Sequence, residues 1–380
     1  MKTILITGGA GFIGQKLSFN LIKNGYKIRI YDNLSPQVHN GNDLPDYIKN
    51  HADIYEADIR DKDKLRQALV GVDCVVHFAA ETGTGQSMYE IEKYFSVNVQ
   101  GTATLVDLIQ NDPAGKNIKK IIVASSRSIY GEGLYKCKVH GDFYPPKRND
   151  IDVLNGNFDF HCKLCNERLL SFATPESAIL NPISFYAITK QTQEEMILLF
   201  AKTKGINGFA LRYQNVYGPG QSLKNPYTGI LAVFSSLARS NMPLNIFEDG
   251  EESRDFIYID DVVDATISAI NFHQNFVGPL NIGSGTRTNV LTLAKKIKDY
   301  FLSQSPINIS GEFRRGDIRH NSANIELAEN LLNFKPKVNI DDGLKKFLDW
   351  VRNEKIDNLA YDKSIDELNK YNLLIKSTKQ

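Results

Sequence analysis

The sequence predicts an α/β fold in which a doubly wound parallel sheet is joined to a smaller C-terminal α/β lobe. Three observations predict it. A short apolar, β-branched run over residues 3–7 leads directly into a glycine-rich turn, strand and helix patterns then alternate through the first half of the chain, and an acidic residue ends the second strand. Such alternation is typical of a parallel sheet covered by helices on both faces, here of the Rossmann type.

The glycine-rich turn is predicted to bind a dinucleotide. Its spacing fits Gly9-x-Gly11-x-x-Gly14 as well as Gly8-x-x-Gly11-x-x-Gly14, and helical spacing begins beyond it. Glycines let the backbone approach a pyrophosphate, whose charge is stabilised by the helix N-terminus. The alternative is a strand-to-helix turn that merely needs small residues. The residues predicted to contact the cofactor here are Gly8, Gly11, Phe12, Ile13 and Gly14.

Asp32 is predicted to bind the ribose of that cofactor. It ends a strand predicted over residues 27–31 and lies 18 residues beyond Gly14, close to the ~20-residue offset of an acid that bonds a ribose diol. A carboxylate repels a 2′-phosphate, and the next three residues, Asn33, Leu34 and Ser35, include no arginine. The sequence therefore favours NAD over NADP, and Asn33 is included among the cofactor contacts.

Two later strand ends are predicted to complete the cofactor site. Asp58, with Ile59 after it, follows a short strand and is interpreted either as a partner of the adenine amino group or as the N-cap of a helix over residues 62–69. The next strand ends in Phe78-Ala79-Ala80. Small side chains at a strand's carboxyl end let a cofactor lie across the sheet.

A serine cluster and a tyrosine–lysine pair are the catalytic candidates. Ser126 follows a strand predicted over residues 121–124, at the edge where ligands bind in this architecture, although serine-rich turns are also common in ordinary loops. Tyr186 and Lys190 are spaced i, i+4 on one face of a predicted helix. A lysine ammonium there is expected to lower the pKa of the phenol, as general base catalysis near neutral pH requires.

The regular alternation stops between residues 131 and 184, where the sequence predicts an irregular insert. A loop of this length is usually functional or has its own fold. Cys137-x-x-His140 and Cys162-x-x-Cys165 lie within it, with the pairwise spacing of a Cys3His zinc knuckle. A structural zinc would replace the core that the insert is expected to lack. Unrelated thiols, or His161 as the fourth ligand, are the alternatives.

Composition argues against several classes of protein. Hydrophobic residues make up 42% and charged residues 23% of the 380 residues, which are ordinary globular values. A formal net charge of +1 gives no reason to expect a nucleic acid or an anionic membrane as partner. No apolar run approaches the ~20 residues of a membrane span, and the N-terminal run is too short for an export signal. Four cysteines do not make a disulfide scaffold. We therefore expect a soluble, cytoplasmic protein.

Taken together, the ordered motifs resemble the nucleotide-sugar epimerase branch of the extended short-chain dehydrogenase/reductase family. The resemblance covers almost the whole chain. Its motifs are Thr7-Gly8-Gly9-Ala10-Gly11-Phe12-Ile13-Gly14, Asp32-Asn33-Leu34, the Asp58 turn, Phe78-Ala79-Ala80, Asn98-Val99-x-Gly101-Thr102, Ser125-Ser126-x-Ser128-Ile129-Tyr130-Gly131, Tyr186-x-x-x-Lys190, Arg212-Tyr213-x-Asn215-Val216-Tyr217-Gly218-Pro219, Arg254-Asp255-Phe256-Ile257-Tyr258-x-Asp260-Asp261-Val262 and Asn281-Ile282-Gly283.

The resemblance implies roles for individual residues. It makes Ser126, Tyr186 and Lys190 a catalytic triad that acts with NAD. Asn98, in a helix predicted over residues 94–109, would organise a proton-relay water behind the lysine. Asn98 and Tyr213 join the predicted cofactor contacts, and the residues predicted at a sugar diphosphate are Ser126, Asn215, Arg254, Arg314 and Asp317. Arginine suits bidentate phosphate contacts, with surface salt bridges as the alternative for the two arginines.

The two residues after Ser126 bear on the reaction. In the family, dehydratases and decarboxylases carry a glutamate two residues after the catalytic hydroxyl, where this chain has Ser128. The dehydratases also carry an aspartate before it, where this chain has Arg127. No acid is then evident for elimination at C6, which favours 4-epimerisation through a transient 4-keto sugar. A dehydratase or reductase of the same family and a non-enzymatic NAD-sensing protein are the alternatives.

Within the epimerases, the sequence is similar to the group that acts on dTDP-L-rhamnose at C4. The shared stretches lie at residues 32–39, 85–91, 247–250 and 311–320 and in the cysteine-bearing insert. The proline usual after the first cysteine of the Cys162-x-x-Cys165 pair is Lys163 here, and no glycine follows the second. UDP-glucose or UDP-N-acetylglucosamine is the alternative substrate.

These motifs predict two domains. Residues 1–216 and 256–290 would form the NAD-binding domain, with 131–184 as its insert, and residues 217–255 and 291–380 the nucleotide-sugar-binding lobe. An amphipathic helical pattern over residues 357–376 is expected to pack on that lobe, with a frayed polar tail as the alternative. The resemblance also implies a homodimer through the helices that begin near residues 94 and 186.

Overall fold

The computed structural model describes residues 2–39, 44–225, 227, 229–356 and 359–376. Its strands are β1 (Thr3–Thr7), β2 (Lys27–Asp32), β3 (Ala52–Glu56), β4 (Cys74–His77), β5 (Lys120–Ser126), β6 (Tyr135–Cys137), β7 (Gly141–Phe143), β8 (Leu170–Ser171), β9 (Asn207–Tyr213), β10 (Asn215–Tyr217), β11 (Leu244–Ile246), β12 (Ser253–Tyr258), β13 (Val277–Ile282), β14 (Arg287–Asn289), β15 (Ile307–Ile309), β16 (Glu312–Arg314) and β17 (Leu374–Lys376). Its helices are α1 (Phe12–Lys23), α2 (Pro36–His39), α3 (Asp46–Lys49), α4 (Lys62–Leu69), α5 (Thr84–Ser87), α6 (Ile91–Tyr94), α7 (Gly101–Asn111), α8 (Asp150–Leu154), α9 (Phe185–Lys204), α10 (Ile230–Arg239), α11 (Ile259–Asn271), α12 (Val290–Phe301), α13 (Glu326–Leu332), α14 (Ile340–Val351) and α15 (Leu359–Lys370).

A seven-stranded parallel sheet in the order β13-β9-β5-β4-β1-β2-β3 forms the centre of the fold. Successive residues of β1 face opposite sides of it. Ile4 and Ile6 join the apolar core that includes α1 and α11, and Leu5 joins the core that includes α7 and α9. Because both faces are covered, the inner strands are continuously apolar. The predicted doubly wound α/β fold is confirmed, and the strand order reverses between β1 and β4, where such sheets bind ligands.

The helix predicted over residues 94–109 is interrupted. A π-helical turn over Phe95–Gln100 joins α6 to α7. Such turns insert one residue into the helical spacing and often occur at functional sites. The turn carries the fully buried Asn98. At its end Gly101 lies against Ile59, whose Cγ2 would be 2.4 Å from an added Cβ.

The insert is more regular than predicted. Strands β7, β6 and β8 form a small antiparallel sheet, and Tyr135, Cys137, Cys162 and Leu169 make a buried cluster of their own. The prediction that the insert lacks a core is therefore wrong. Strands of two or three residues are too short to show a sequence period, which is why the pattern was invisible.

Buried ion pairs hold the insert against the C-terminal lobe. Arg148 of the insert lies 2.5 Å from a Glu248 carboxylate oxygen and 3.4 Å from Glu132. Arg319 of the lobe bonds the same Glu248 at 3.0 Å and reaches back to Asp159 of the insert at 3.2 Å. Removing one member of such a network leaves a buried charge unpaired, so the insert and the lobe are expected to be mechanically coupled.

The lobe departs from prediction at β12. This strand pairs with β10 and β14 and not with the main sheet, and of the segment from Phe256 to Ile282 only β13 joins that sheet. All six residues of β12 are buried, as they would be in a central strand. Of residues 256–290, which the sequence assigns to the NAD-binding domain, β13 joins the main sheet and the end of β12 does not.

The end of the chain packs on the lobe as predicted. Helix α15 lies along it, and β17 pairs with β16 through Phe313 and Ile375. The frayed-tail alternative is wrong for residues 359–376. No helix in the described part of the chain combines the length and the apolar character needed to cross a bilayer.

Candidate active site

A cleft of about 580 Å³ opens where the strand order reverses. Its walls come from the glycine turn, the carboxyl ends of β2, β4 and β5, the first turns of α9, and the C-terminal lobe. Apart from the cysteine cluster of the insert, every predicted site residue lines this cleft except Asn98. The predicted cofactor, catalytic and substrate residues therefore face one common space.

The glycine turn leaves room for a phosphate. Gly8 has φ 69°, and a Cβ there would lie 2.7 Å from the backbone nitrogen of Ala79. A Cβ on Gly14 would lie 2.6 Å from the carbonyl oxygen of Gly8. Helix α1 follows with Gly11 at its N-cap, no side-chain cap and no acidic residue in its first turn. Its unpaired N–H groups and positive dipole end fit the pyrophosphate of a dinucleotide.

Asp32 is fixed at the end of β2 by backbone donors. It accepts hydrogen bonds from the nitrogens of Ala10, at 3.0 Å, and Leu34, at 2.9 Å. The Nε2 of His39, which sequence reasoning missed, lies 3.4 Å from Oδ1, the carboxylate oxygen that also accepts from Leu34. A fixed acceptor in this place fits a ribose diol and repels a 2′-phosphate. The residues present thus fit NAD.

Asp58 is not the cap of α4. That cap is Asp61, whose carboxylate accepts from the nitrogen of Lys64 at 3.0 Å. Asp58 instead accepts from the Nε of Arg60 at 2.7 Å, and this hydrogen bond lowers the pKa of Asp58. The N-cap interpretation is wrong because Asp58 lies three residues too early, and its side chain lines the cleft.

The catalytic candidates converge at the ends of β5 and α9. Ser184 caps α9 by accepting from the nitrogen of Ala187 at 3.2 Å, so Tyr186 lies in the first helical turn. The Tyr186 hydroxyl lies beside Ser126, whose hydroxyl favours the phenolate and so lowers the Tyr186 pKa. One turn further on, the Nζ of Lys190 donates to the carbonyl oxygen of Ala124 at 2.8 Å. A serine and a tyrosine hydroxyl thus act on one point of the cleft.

Burial dominates the ionisation of these residues. It raises the pKa of Tyr186, against the opposing effects of the Ser126 hydroxyl and the positive charge of Arg127. Burial also lowers the pKa of Lys190 to about 7. The prediction that Lys190 lowers the Tyr186 pKa is wrong for the protein alone, because that ammonium is committed to Ala124 and is itself destabilised. Arg127 is the cation that acts on the phenol.

Asn98 lies behind the cleft rather than in it. Its amide accepts from the nitrogen of Glu81 at 2.7 Å and donates to the Thr189 hydroxyl at 2.9 Å. These bonds join the loop after β4 to α9. The prediction of a direct cofactor contact is therefore wrong, because the side chain is fully buried and engaged; Asn98 positions the groups on either side of it.

The buried ion pair Glu194–Arg212 contacts residues on both sides of Ser126 in the chain. Glu194 of α9 bonds Arg212 of β9 at 2.6 Å and accepts from the Ser125 hydroxyl at 2.5 Å. Arg212 also donates to the Tyr130 hydroxyl at 2.7 Å. The pair therefore connects β9 and α9 to the turn that presents Ser126. Sequence reasoning missed this role of Arg212, although the residue opens a recognised motif.

The lobe contributes two arginines that share one acid. Arg254 bonds one oxygen of Asp317 at 3.0 Å, and Arg314 bonds the other at 2.9 Å. Burial alone would raise the pKa of Asp317, but the surrounding arginines hold it well below its usual range. The Nε of Arg314 is buried without a hydrogen-bond partner in the described structure. Both arginines line the cleft, so the surface-salt-bridge alternative is wrong, and the site keeps a net positive charge.

The comparisons with known proteins agree with this geometry. The sequence profile described as the NAD dependent epimerase/dehydratase family matches residues 4–148 and 170–283. The chain belongs to this family. Its matched parts contain the glycine turn, the serine cluster and the tyrosine–lysine pair, and the gap between them covers the cysteine-pair half of the insert.

Relatives within the epimerase/dehydratase family extend over nearly the whole chain. The chain is 36% identical to the dTDP-L-rhamnose 4-epimerase of Burkholderia thailandensis, over 93% of this chain and 96% of that protein. The crystal structure of a UDP-glucose 4-epimerase from Thermotoga maritima with UDP-glucose has a TM-score of 0.74 and 30% identity, covering 92% of this chain and 98% of the other. A UDP-glucuronic acid 4-epimerase from Bacillus cereus, in complex with UDP-glucuronic acid and NAD, has a TM-score of 0.75 and 26% identity, covering 92% and 99%.

In this family member, helix α15 walls the side of the cleft nearest the lobe. Tyr361, Ile365 and Leu368 face the cleft. Tyr89 donates to Glu367 of the helix at 2.6 Å, and Tyr227 donates to the same carboxylate. The helical pattern over residues 357–376 predicted packing on the lobe but not a wall of the cleft. The other wall residues to which the sequence assigned no site role are Gln37, Thr82, Thr84, Ser128, Gln221, Asn245, Phe247 and Ser364.

The predicted metal ligands come together outside the cleft. The ligand atoms of Cys137, His140, Cys162 and Cys165 all lie within 4.8 Å of one another. The Cys137 sulfur is 3.6 Å from both the Cys165 sulfur and the Nδ1 of His140, and the Cys162 sulfur is 3.4 Å from that nitrogen. Zn–S and Zn–N bonds of roughly 2.3 and 2.0 Å in a tetrahedron give ligand separations of about 3.5–3.8 Å. The alternative ligand His161 is not in this cluster.

The second cysteine pair has a knuckle turn without the usual glycine. Asn166 follows Cys165 with φ 61°, and its nitrogen donates to the Cys162 carbonyl oxygen at 2.8 Å. Asparagine adopts this left-handed conformation more readily than other residues with a side chain. The departure from the family pattern at this position therefore preserves the turn.

Proposed function

We propose that this protein is an NAD-dependent 4-epimerase of a nucleoside-diphosphate sugar, with dTDP-L-rhamnose as the first candidate substrate. One observation carries the proposal: the Ser126–Tyr186 pair lies in the same cleft as the glycine turn and the arginine pair Arg254–Arg314. A cofactor site, a proton-transfer site and a diphosphate site in one cleft fit a redox reaction at a sugar carbon. The identity to a dTDP-L-rhamnose 4-epimerase supports the choice of sugar.

The chain's own residues divide the proposed chemistry between them. Tyr186, as phenolate, takes the proton of the C4 hydroxyl, and Ser126 is hydrogen-bonded at the same oxygen. Bound NAD+ supplies hydride acceptance and return at C4. The glycine turn and Asp32 hold the cofactor, and Lys190 holds its nicotinamide ribose. The arginines hold the diphosphate while the 4-keto sugar rotates and presents its opposite face for reduction. Tyr186 then returns the proton to the C4 oxygen. No reductant is consumed.

Two other activities are the alternatives. A dehydratase is disfavoured because Arg127 and Ser128 follow Ser126 where an acid would be needed. A reductase that uses NADPH is disfavoured by Asp32, whose carboxylate lines the cleft and would repel the 2′-phosphate. A non-enzymatic NAD sensor would have no need of the Ser126–Tyr186 contact.

A substrate panel tests the proposal. The purified protein is incubated with dTDP-L-rhamnose, UDP-glucose, UDP-N-acetylglucosamine and GDP-mannose, with and without NADPH, and the products are separated by chromatography and identified by NMR. Interconversion of C4 epimers without NADPH is the expected result. Product formation that depends on NADPH would make the protein a reductase, and the absence of turnover on every sugar would leave an NAD-binding protein.

We also propose that the cysteine cluster holds a structural zinc ion. Two observations support it. Three of the separations between ligand atoms, at 3.4 to 3.6 Å, are close to the edges of a zinc tetrahedron, and the nitrogen of Val139 donates to the Cys137 sulfur at 3.4 Å, which stabilises a thiolate. The ion would link Cys137 and His140 to Cys162 and Cys165. Because Arg148 and Arg319 join the insert to the lobe, loss of the ion is expected to destabilise the lobe as well.

Cys165→Ser is expected to abolish zinc binding and to lower the Tm. Cys165 is exposed, so the serine itself is tolerated and the effect reports the lost ligand. Metal content per chain and thermal unfolding are measured on protein purified without chelator. The matched control is Cys74→Ser, a buried thiol outside the cluster, which should lose stability but keep one zinc per chain. Wild-type protein with no zinc and four titratable thiols would refute the site.

A homodimer and a cytoplasmic location stay predictions. The dimer is supported by apolar side chains on the outer face of α9, where Leu199 is 68% and Ile188 is 37% exposed. Burying such residues between helices of two copies would stabilise the pair.

A further inference from the structure

Arg127 lowers the pKa of Tyr186, but the proposed chemistry has so far given its guanidinium no ligand. It follows Ser126 directly, opens the short helical turn over Arg127–Tyr130, and lines the cleft. Its Nε donates to the Oδ1 of Asn215 at 2.7 Å. This bond fixes the side chain between the catalytic serine and a residue predicted to contact the sugar diphosphate.

Three acids at the junction of the insert and the lobe are paired with other arginines. Asp317 is shared by Arg254 and Arg314, and Glu132 and Glu248 pair with Arg148. Among the residues that the structure describes, Arg127 therefore has a neutral amide as its partner and no ion pair. Burial, and then the charge of Arg254, lower the pKa of Arg127 to about 10. A guanidinium in such surroundings is stabilised by any anion that enters the cleft.

The arginines of the cleft suit one ligand group in particular. Arg127 lines the same cleft as Arg254 and Arg314, and it lies close enough to both for their charges to lower its pKa. Arg254 and Arg314 share Asp317, whereas Arg127 has no ion pair among the described residues. The diphosphate of a nucleotide sugar carries one negative charge on each phosphorus and would supply the anion that Arg127 lacks.

We propose that Arg127 is the third arginine of the diphosphate site and binds the phosphate nearest the sugar. This inference rests on the proposed function, because it presumes a nucleoside-diphosphate sugar in the cleft. The phosphate next to the sugar is chosen because Arg127 is adjacent to Ser126, the residue proposed to act on the sugar. Arg254 and Arg314, by contrast, belong to the lobe. A fixed contact at this phosphate would hold the pivot about which the keto sugar turns.

Binding of sugar-free nucleotides tests the inference without turnover. Calorimetry on NAD-loaded wild-type protein and Arg127→Gln compares dTDP with dTMP, and UDP with UMP. Since a hydrogen bond to a charged group is lost, Arg127→Gln should bind the diphosphate about ten- to hundredfold more weakly. The monophosphate, which lacks the second phosphorus, should bind as it does to wild type. Arg127→Lys, which keeps the charge but not the fork, should bind the diphosphate with intermediate affinity.

A control variant distinguishes a contact with the second phosphate from a general loss of positive charge. Arg66→Gln, at a surface ion pair with Asp63 and Asp112, should leave both affinities unchanged. Unaltered diphosphate binding to Arg127→Gln, or an equal loss for mono- and diphosphate, would overturn the inference. If Arg127→Gln fails to fold, Arg127→Lys decides, since undiminished diphosphate affinity there contradicts a fork contact. Because no step requires turnover, failure of the substrate panel leaves this result readable.

Discussion

Tyr186→Phe is expected to lower the epimerisation rate by about 10²–10⁴-fold, the usual contribution of a positioned acid–base group. The substitution removes the phenolic oxygen that is proposed to take the C4 proton while keeping the ring in place. NAD should still be bound, because the glycine turn and Asp32 are untouched. The rate of epimer interconversion and the NAD content per chain are the measurements.

Tyr55→Phe is the matched control for this prediction. Tyr55 lies in β3, the strand at the far edge of the main sheet, so its hydroxyl cannot reach the cleft and turnover should be unaffected. Turnover of Tyr186→Phe within a few-fold of wild type would remove Tyr186 from the mechanism. Loss of NAD together with activity would instead show that the phenol serves cofactor binding.

Gly8→Ala is expected to release NAD and to destabilise the fold. The new Cβ would meet the backbone nitrogen of Ala79 at 2.7 Å and the carbonyl carbon of Phe78 at 2.8 Å, and backbone cannot move aside as a flexible side chain can. The strand ends on both sides of the cofactor cleft would be pushed apart. NAD content and the free energy of unfolding are the measurements.

Gly25→Ala is the control that separates the steric clash of the new Cβ at Gly8 from the strain of a left-handed backbone. Gly25 also has a positive φ, of 80°, but its Cβ would meet nothing within 4 Å. Both variants carry the left-handed penalty of ~1–2 kcal/mol, and overpacking should cost Gly8→Ala about 1–3 kcal/mol more. Equal destabilisation of the two variants, with NAD retained in both, would contradict the close approach at Gly8.

Local patterns predicted the parts of the fold that local chemistry determines. The strand over residues 3–7, the glycine turn and the Tyr186–Lys190 spacing each depend on residues that are neighbours in the chain, and the structure has all three in place. The end of β12 was assigned to the wrong sheet because a fully buried strand has the same sequence pattern in the main sheet and in the lobe. Which sheet a strand joins depends on partners distant in the chain.

Ionisation could not be predicted from spacing. The i, i+4 relation of Tyr186 and Lys190 was correct. The pKa of the Tyr186 phenol, however, depends on its burial and on the charge of Arg127, which lies in the turn after β5. Likewise, the sharing of Asp317 by Arg254 and Arg314 and the wall formed by α15 are tertiary facts. For the cysteine cluster, by contrast, spacing alone selected the four residues that meet in space.

The missing cap of helix α1 ties cofactor retention to conformational stability. With no side chain to pair its first N–H groups, the helix start depends on a bound anion for the contacts that a serine or aspartate would otherwise make, worth about 0.5–2 kcal/mol elsewhere. A ligand that binds only the folded state stabilises it by an amount that grows with the logarithm of one plus the ratio of free ligand concentration to Kd. The protein without dinucleotide is therefore expected to be the less stable species, and the pyrophosphate becomes part of what holds the first βαβ unit together.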